Sequence, residues 1–438
     1  MAEQLPPRDS EAQDRAGLSR RELMGKALAA SVPLLGAAAL AAEPKAAEPK
    51  AAEPKAAEPK AEPKAAPFPI TRKIKMGIVG CGGRGMWIAR LFQQHGGYEF
   101  HGVADYFENI AQNSGKALGV PPERCFSGLS GCKRLVDSGV EAIIVIDVPW
   151  FYAGHAKDAI EAGRHVYMAK PIATDVPSCL QIEALGKQAT AKKLVFLVDY
   201  QLPLSPANIE VATRIREGAL GPLGHIVSFG FSGAWGDPLK EKTIESRLRG
   251  NVWLSDIALG GDNIVSYDIH IIDGVQWVVG VRPVAACGRS RTFRPDPHGD
   301  RVDCGSATFE YEDGIIWTHL VQALNNNSDD GSLIATFYGL RATARIAYWA
   351  RVYVRGGERH YVGNPGSVYD QGATINIATF YQNVVEGHFE NATVQRAVDG
   401  TLTAILGREA SARRRYMTMD ELIKENKRLE VDLTGLKA

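Results

Sequence analysis

Hydrophobic and polar positions follow two different patterns along the 438 residues. Between residues 71 and 199, short apolar and β-branched runs are separated by stretches with helical spacing. Strands of a parallel sheet read as continuous apolar runs because helices cover both of its faces. The first pattern therefore predicts a doubly wound α/β domain over 71–199. We expect its strands at 76–79, 100–104, 141–147, 165–168 and 194–198, with helices at 86–92, 153–162 and 177–191.

After Tyr200 the pattern changes to strands joined by short polar or glycine turns, as at residues 312–314. Such turns are typical of hairpins, so we predict an α+β domain over 200–438 with an open, mostly antiparallel sheet. Its predicted strands are 225–231, 284–288, 307–310, 315–322, 332–338, 342–348 and 351–354, and its predicted helices are 207–217, 373–388 and 394–413.

Residues 1–42 have the features of an export signal. Arg20 and Arg21 precede an apolar run over 27–42, with a small-residue cleavage site at 39–41. The run is too short to span a bilayer, so we expect no stable membrane span after signal removal. The pattern resembles a twin-arginine signal and predicts a periplasmic or cell-envelope protein. Whether the signal is cleaved stays open.

Residues 43–70 repeat Glu-Pro-Lys units separated by alanine. Proline at nearly every fifth position prevents a continuous helix, and alternating charges keep the segment solvated. We interpret it as an extended linker without chemistry of its own.

A glycine motif stands between the first predicted strand and helix. Gly80, Gly82 and Gly85 have the G-x-G-x-x-G spacing, and Asp105 ends the next strand about 20 residues on. This context predicts a Rossmann domain whose glycine turn holds a dinucleotide pyrophosphate at a helix N-terminus. The predicted contacts of the turn are Gly80, Cys81, Gly82, Gly83, Arg84 and Gly85.

Composition limits the classes of binding partner that we expect. Lys plus Arg and Asp plus Glu each number 50, and no basic stripe interleaved with aromatic residues is present, so no nucleic acid is expected. The six cysteines lack zinc-ligand spacing, so no metal site is predicted. A small, roughly neutral substrate fits best.

Lys170 follows the strand predicted at 165–168, where ligands of open α/β sheets bind. A lysine there can bind a substrate hydroxyl and stabilise the alkoxide that forms as hydride leaves. The alternative is a solvated loop lysine. Pro149, His155 and Gln201, which also follow predicted strands, are further candidate cofactor contacts.

A second polar cluster lies at 266–273. On a helix, Ser266, Tyr267, His270 and Asp273 would share a face, whereas Asp268 would point elsewhere. His270 can take a hydroxyl proton at neutral pH, with Asp273 or Tyr267 orienting its ring. The alternative is a structural histidine at a domain interface. Trp235 and His319 are lesser candidates, Trp235 because a flat aromatic side chain can stack on a sugar face.

With these motifs, the chain resembles the Gfo/Idh/MocA family over 73–415. The resemblance rests on residues 77–85, on His155 followed by 162–166, on Lys170-Pro171, on 218–221 and on His270-Ile271-Ile272-Asp273. It implies a Rossmann domain followed by an open sheet, a tightly held nicotinamide cofactor, a sugar or polyol substrate, and Lys170 and His270 in the catalytic positions. It also leads us to expect a homo-oligomer formed through the open sheet.

Two positions depart from the family pattern. Ala169 replaces the usual Glu before Lys-Pro, and Ser266 replaces an aspartate four residues before the histidine. Asp268, Tyr267 or Asp262 would have to replace that aspartate, or the chemistry differs. Some secreted relatives cleave glycosides by transient oxidation, elimination, hydration and re-reduction with the same cofactor.

The sequence therefore predicts an exported oxidoreductase acting on a carbohydrate hydroxyl, with an NAD-dependent glycosidase and a non-catalytic carbohydrate-binding relative as alternatives. Asp105, with no arginine at 106–109, favours NAD over NADP because a carboxylate binds ribose hydroxyls and repels a phosphate. The absence of a nicotinamide pool outside the cytoplasm requires the bound cofactor to be regenerated in each cycle.

Overall fold

The computed structural model describes residues 68–239, 243–326 and 333–438. The predicted export signal and the linker up to residue 67 lie outside the described residues. Within them, no helix is long and apolar enough to cross a membrane.

The first domain is built on six parallel strands in the order β3-β2-β1-β4-β5-β6. The strands are β1 Ile74–Val79, β2 Tyr98–Asp105, β3 Cys125–Ser127, β4 Ala142–Val145, β5 His165–Ala169 and β6 Phe196–Asp199. The helices between them are α1 Gly83–His95, α2 Glu108–Leu118, α3 Gly131–Asp137, α4 Tyr152–Glu161 and α5 Val176–Ala191. This confirms the predicted doubly wound sheet.

Local sequence signals fix several of these elements. All four residues of β4 are buried, as expected for a central parallel strand covered on both faces. Helix α5 begins where the Asp175 carboxylate accepts a hydrogen bond from the Ser178 N–H, with Pro177 in its first turn. Helix α1 ends at His95 and is capped by Gly96, whose φ of 80° suits glycine.

The second domain carries nine strands in the order β14-β13-β12-β11-β7-β10-β9-β8-β15. They are β7 Leu223–Ser232, β8 Ala285–Arg291, β9 Cys304–Glu310, β10 Ile316–Ala323, β11 Ile334–Gly339, β12 Thr343–Ala347, β13 Val352–Arg355, β14 Tyr361–Gly363 and β15 Met417–Thr418. The β7–β10 pair is parallel and the other neighbours are antiparallel, so the mostly antiparallel sheet is confirmed. The short strands β14 and β15 lack a clear alternation and were not predicted.

Helices cover one face of this sheet and join it to the first domain. They are α6 Pro206–Arg216, α7 Ile257–Gly260, α8 Asn263–Ser266, α9 Ile269–Val279, α10 Val368–Glu386, α11 Ala392–Arg413 and α12 Met419–Glu425. Helix α11 is mostly buried and packs against α5 and β6 of the first domain as well as α9, β8 and β9 of the second. The two domains therefore share one continuous apolar core.

Candidate active site

The glycine turn lines one wall of a cleft of about 940 Å³ between the domains. Gly80 has a φ of 93°, and a Cβ there would lie 2.5 Å from the Asp147 nitrogen. A Cβ at Gly85 would overlap the Gly80 carbonyl oxygen. Gly82 and Gly83, in contrast, face open space in the cleft. Two of the glycines thus serve the chain's own packing, and the other two leave room for a dinucleotide at the N-terminus of α1.

Asp105 stands at the end of β2 and lines the same cleft. Its carboxylate accepts hydrogen bonds from the N–H of Cys81, at 2.9 Å, and of Phe107, at 3.0 Å. Burial raises the pKa of this carboxyl, and these two bonds oppose the rise. Cys81 therefore acts through its backbone, because its thiol is buried against the Ala104 carbonyl, and burial raises the pKa of that thiol.

Arg249 is a cleft residue that the sequence reasoning missed. Its guanidinium carbon lies 3.9 Å from the centroid of the Phe107 ring. Its charge opposes the burial that raises the pKa of Asp105, which places a cation beside the predicted ribose ligand. The preference for NAD rested on the lack of arginine at 106–109, and the fold supplies one from a distant segment.

His155 lies in α4 and forms an ion pair with Asp147, with Nε2 3.0 Å from the carboxylate. Burial alone would lower the pKa of this imidazole, but Asp147 and the neighbouring Cys132 raise it well above its ordinary value. All three side chains line the cleft. His155 therefore lines the cleft as the protonated partner of Asp147, and its contact with a cofactor stays a prediction.

Lys170 follows β5 and lines the cleft beside His270. Its ammonium group donates to the Ser266 carbonyl at 2.7 Å. Burial, followed by the charge of Arg84, lowers the pKa of Lys170 to about 7. The prediction that Lys170 and His270 face one site therefore agrees with the fold, and Lys170 can exchange a proton near neutral pH.

The His270 ring is oriented by a hydrogen bond with Tyr348, which the sequence did not indicate, and the ring of Tyr267, one of the expected partners, packs edge-on against it with the centroids 6.4 Å apart. The His270 Nδ1 lies 2.8 Å from the Tyr348 hydroxyl, which in turn lies 3.3 Å from Gln201 Oε1. The Gln201 amide nitrogen donates to the Asp199 carbonyl, so Oε1 must accept from Tyr348. The tyrosine oxygen then accepts from the His270 Nδ1–H. This arrangement leaves the lone pair on Nε2, the nitrogen available to a substrate.

Burial and the positive charge of two neighbouring residues keep this histidine neutral. Burial lowers the pKa of His270 well below its ordinary value, and the charges of Lys170 and Arg84 lower it further. A neutral ring with a lone pair on Nε2 is a hydrogen-bond acceptor for a substrate hydroxyl.

Arg84 lies at the Lys170–His270 end of the cleft. Its guanidinium lies over the rings of Trp87 and Tyr369, 4.6 and 4.3 Å from their centroids, and donates to Asp199 at 3.1 Å. In the part of the chain that the structure describes, Arg84 Nη1 and Ser266 Oγ are buried without a protein partner. Both residues line the cleft, so a bound ligand would satisfy these atoms.

Asp268 lies in a buried network outside the cleft lining, and its charge acts against the lowering of the pKa of Lys170. Its carboxylate lies 3.0 Å from His319 Nε2 and accepts from the Asn263 amide at 3.2 Å. Burial raises the pKa of Asp268 and lowers that of His319 to about 3. Asn263 also accepts from the indole N–H of Trp235, which lines the cleft. Asp268 therefore supports a cleft wall through Asn263.

Five predicted site residues lie outside the cleft lining, namely Cys81 and Asp268, described above, and Asp273, Pro149 and Gln201. Asp273 accepts from Arg396 of α11 at 2.7 Å, Pro149 is buried in a short 3-10 turn, and Gln201 lies behind Tyr348. Asp273 does lie three residues after His270 in α9, but its carboxylate pairs with Arg396 and not with the His270 ring, and the break at Tyr267 and Asp268 separates Ser266 from this helix. Tyr267 itself lines the cleft, with its ring centroid 6.3 Å from that of Trp235.

The two carboxylates expected to replace the aspartate missing at Ser266, Asp262 and Asp268, lie outside the cleft lining. Asp262 caps α8 and accepts from the Asn263 N–H at 2.7 Å. Burial raises the pKa of Asp262 to about 6. The protein partner of His270 Nδ1 is the neutral Tyr348 hydroxyl.

Comparisons with known proteins agree with this geometry. The model of the oxidoreductase family with an NAD-binding Rossmann fold, Gfo/Idh/MocA, matches residues 74–200, and the C-terminal domain model of the same family matches 209–345. The chain belongs to the Gfo/Idh/MocA family. The resemblance seen in the sequence is thereby confirmed at the level of the family.

Individual relatives of this Gfo/Idh/MocA protein are distant. An uncharacterised oxidoreductase of Synechocystis sp. is 26% identical over 37% of this chain and 41% of its own length. A glycosyl hydrolase family 109 protein of Shewanella pealeana is 24% identical over 35% and 34%. The crystal structure of an aldose–aldose oxidoreductase from Caulobacter crescentus, complexed with glycerol, has a TM-score of 0.64 at 18% identity and covers 79% of this chain and 100% of that one.

Proposed function

We propose that the protein is an NAD-dependent oxidoreductase that acts on a hydroxyl group of a sugar or polyol and holds its cofactor tightly. One observation carries the proposal: Lys170 and His270 line the same cleft as the open Gly82–Gly83 side of the glycine turn. A dinucleotide whose pyrophosphate sits on α1 would extend toward these two side chains.

The bound nicotinamide would supply the hydride acceptor. Lys170, with a pKa near 7, binds the substrate hydroxyl and accepts its proton as the carbonyl forms. His270 Nε2 accepts a second hydrogen bond from the substrate and fixes its orientation. Trp235, Tyr267 and Tyr369 line the cleft and offer apolar faces to a sugar ring while excluding water.

A glycosidase that uses NAD is the second candidate. Two observations favour it: Ser266 stands in place of the family aspartate, and relatives named glycosyl hydrolase family 109 match about a third of the chain. In this reaction a ring hydroxyl is oxidised, the aglycone is eliminated, water adds and the hydride returns. The cofactor thus ends each cycle in its starting state.

Purified protein incubated with aryl glycosides and with free sugars separates these functions. NADH accumulation on a free sugar, or sugar-to-sugar hydride exchange, supports the oxidoreductase. Phenol release without net NADH supports the glycosidase. Bound NAD with neither activity would support the third alternative, a non-catalytic carbohydrate-binding protein.

We also propose export by the twin-arginine route to the periplasm or cell envelope, supported by Arg20, Arg21 and the apolar run that follows. A fusion of residues 1–70 to a folded reporter should be exported, and replacing both arginines by lysine should stop it. Retained export after that change would contradict the route.

A homo-oligomer formed through the open sheet is the last part of the proposal. The sheet face opposite the helices carries half-exposed apolar residues, including Ile316 on β10 and Tyr338 on β11. Sedimentation should show a dimer or tetramer that Ile316→Glu weakens, and a monomeric parent chain would contradict it.

A further inference from the structure

The second domain contributes a wall to the predicted dinucleotide site. Residues 243–255, here called the cap segment, form two short 3-10 turns and bring Arg249, Trp253 and Leu254 into the cleft. Arg249 lies over Phe107, which follows the ribose-binding Asp105. The cap segment thus faces the adenosine end of the glycine-turn site.

A second stretch from the second domain reaches the same end. Residues 426–438, here called the strap, follow α12 without regular helix or strand. The strap carbonyl of Lys437 accepts from the Leu129 N–H at 3.0 Å, and the Lys437 N–H donates to the Tyr106 hydroxyl at 3.1 Å. Tyr106 and Leu129 line the cleft, so the strap lies directly behind its adenosine wall.

Two further bonds anchor the beginning of the strap. The Leu429 carbonyl accepts from the Trp150 indole N–H at 2.9 Å, and the Leu429 N–H donates to Asp175 at 2.9 Å. Four hydrogen bonds therefore fix the backbone of an irregular segment on the Rossmann domain. Ordering such a segment costs conformational entropy, which these bonds offset.

The strap also touches the cap segment. Gly435 has a φ of 84°, and a Cβ there would lie 2.7 Å from Cγ2 of Thr243. A Cβ at Gly128, beside Leu129, would overlap the Ala438 carbonyl oxygen. The strap therefore packs tightly against one residue on each wall of the cleft and joins the cap segment to the Rossmann loops.

We propose that the strap and Arg249 form a clasp that retains the dinucleotide at its adenosine end. This inference rests on the proposed function, because it needs a dinucleotide in the cleft. Arg249 contacts the adenosine, and the strap keeps the cap segment and the loops around Tyr106 and Leu129 together. A ligand held between two walls leaves only after they separate, so the clasp slows its release.

Cofactor release from the full chain tests the clasp. Protein loaded with NAD is diluted into an excess of an enzyme that consumes free NAD, and the NAD that remains bound is measured over time after heat extraction. Removal of residues 430–438 should speed release about tenfold or more, the order expected when one or more hydrogen bonds are lost. Arg249→Gln should speed it by a similar factor.

Tyr106→Phe is the mild version of the test, since it removes only the hydroxyl that receives the Lys437 N–H. Tyr416→Phe is its matched control, because that hydroxyl bonds Glu310 on the second sheet. Tyr106→Phe should speed release severalfold, and the control should match the parent. Thermal unfolding of each variant shows whether it folds, and Tyr106→Phe decides the question if the truncated chain does not.

If the truncated chain folds and releases NAD as slowly as the parent, the clasp is overturned. If truncation prevents folding, a parental release rate in Tyr106→Phe overturns it. Either result leaves the oxidoreductase proposal intact. A full chain that binds no dinucleotide would overturn both.

Discussion

Each end of the cleft holds a histidine, buried at His270 and largely buried at His155, and the two imidazoles have opposite pKa shifts. His155 pairs with the Asp147 carboxylate, and its pKa lies well above the ordinary value despite burial. His270 pairs with the neutral Tyr348 hydroxyl beside two cations, and its pKa lies well below. Burial lowers the pKa of both imidazoles, so the neighbouring charges make the difference between them: a carboxylate at His155 and two cationic groups at His270.

This contrast suits the two ends of the cleft to different functions. A fixed imidazolium in the cofactor half is suited to a ligand that carries phosphate groups. A neutral imidazole beside a lysine whose pKa is about 7 is suited to moving a proton on and off a substrate. Changes at the His270 end should therefore alter catalysis and its pH dependence, whereas changes at the His155 end should alter cofactor affinity.

The largest expected effect is at Lys170. Lys170→Met should lower kcat/KM by about a thousandfold because it removes the group that accepts the substrate proton. NAD affinity should remain within a few-fold of the parent. Lys192→Met, which removes a lysine bonded to carbonyls at the end of α4, is the matched control. Full activity of Lys170→Met would show that proton transfer at the His270 end of the cleft does not depend on Lys170.

Substitutions in the glycine turn should have the next largest effect. Gly82→Val should leave the fold intact and weaken NAD binding by about a hundredfold, because the side chain enters the open space of the cleft. Gly85→Val should instead destabilise the protein by roughly 1–3 kcal/mol or more, since its Cβ meets the Gly80 carbonyl. Calorimetric NAD titration and thermal unfolding separate the two outcomes. Normal NAD binding by Gly82→Val would contradict the turn's role.

Tyr348→Phe tests the orientation of His270. Losing the hydroxyl should lower kcat about tenfold with little change in NAD affinity, because the ring loses its partner but keeps its position. Tyr98→Phe, which removes a buried hydroxyl bonded to the Ile377 carbonyl, controls for lost stability. Equal kcat values for Tyr348→Phe and the parent would show that the tyrosine is structural only.

Sequence reasoning reached the backbone features of the site and missed its long-range side-chain partners. The glycine turn is local, and its spacing alone fixes where Gly80 and Gly85 must pack. Lys170 and His270 could be found because each adjoins a recognisable element. Tyr348 and Arg249 come from segments about 80 and 140 residues away from the groups they serve, and nothing in their own neighbourhoods marks them. Asp273 shares α9 with His270, but its carboxylate pairs with Arg396 of α11, a long-range partner that helical spacing could not indicate.

The effect of Arg84 on the pKa of Lys170 can be tested through the pH dependence of the reaction rate. Oxidation of the substrate hydroxyl should become faster as pH rises through about 7, because Lys170 must lose its own proton before it can accept one from the substrate. Arg84 lowers the pKa of Lys170, so Arg84→Gln should move this rise to higher pH. Arg90→Gln, exposed on the same helix, is the control. An unshifted pH–rate profile for Arg84→Gln would show that the guanidinium does not tune the lysine.

His155→Gln should have the smallest effect. The pKa of His155 lies well above its ordinary value, so the ring should keep its charge, and leave no step in the pH–rate profile, where a free imidazole would lose its proton. Its loss should weaken NAD binding only about threefold, the scale of a partly screened ion pair. Titration of NAD binding at low and moderate salt should show the difference shrinking as salt rises. A change in the pH–rate profile, with NAD affinity untouched, would place proton chemistry at His155 and reverse the assignment of the two histidines.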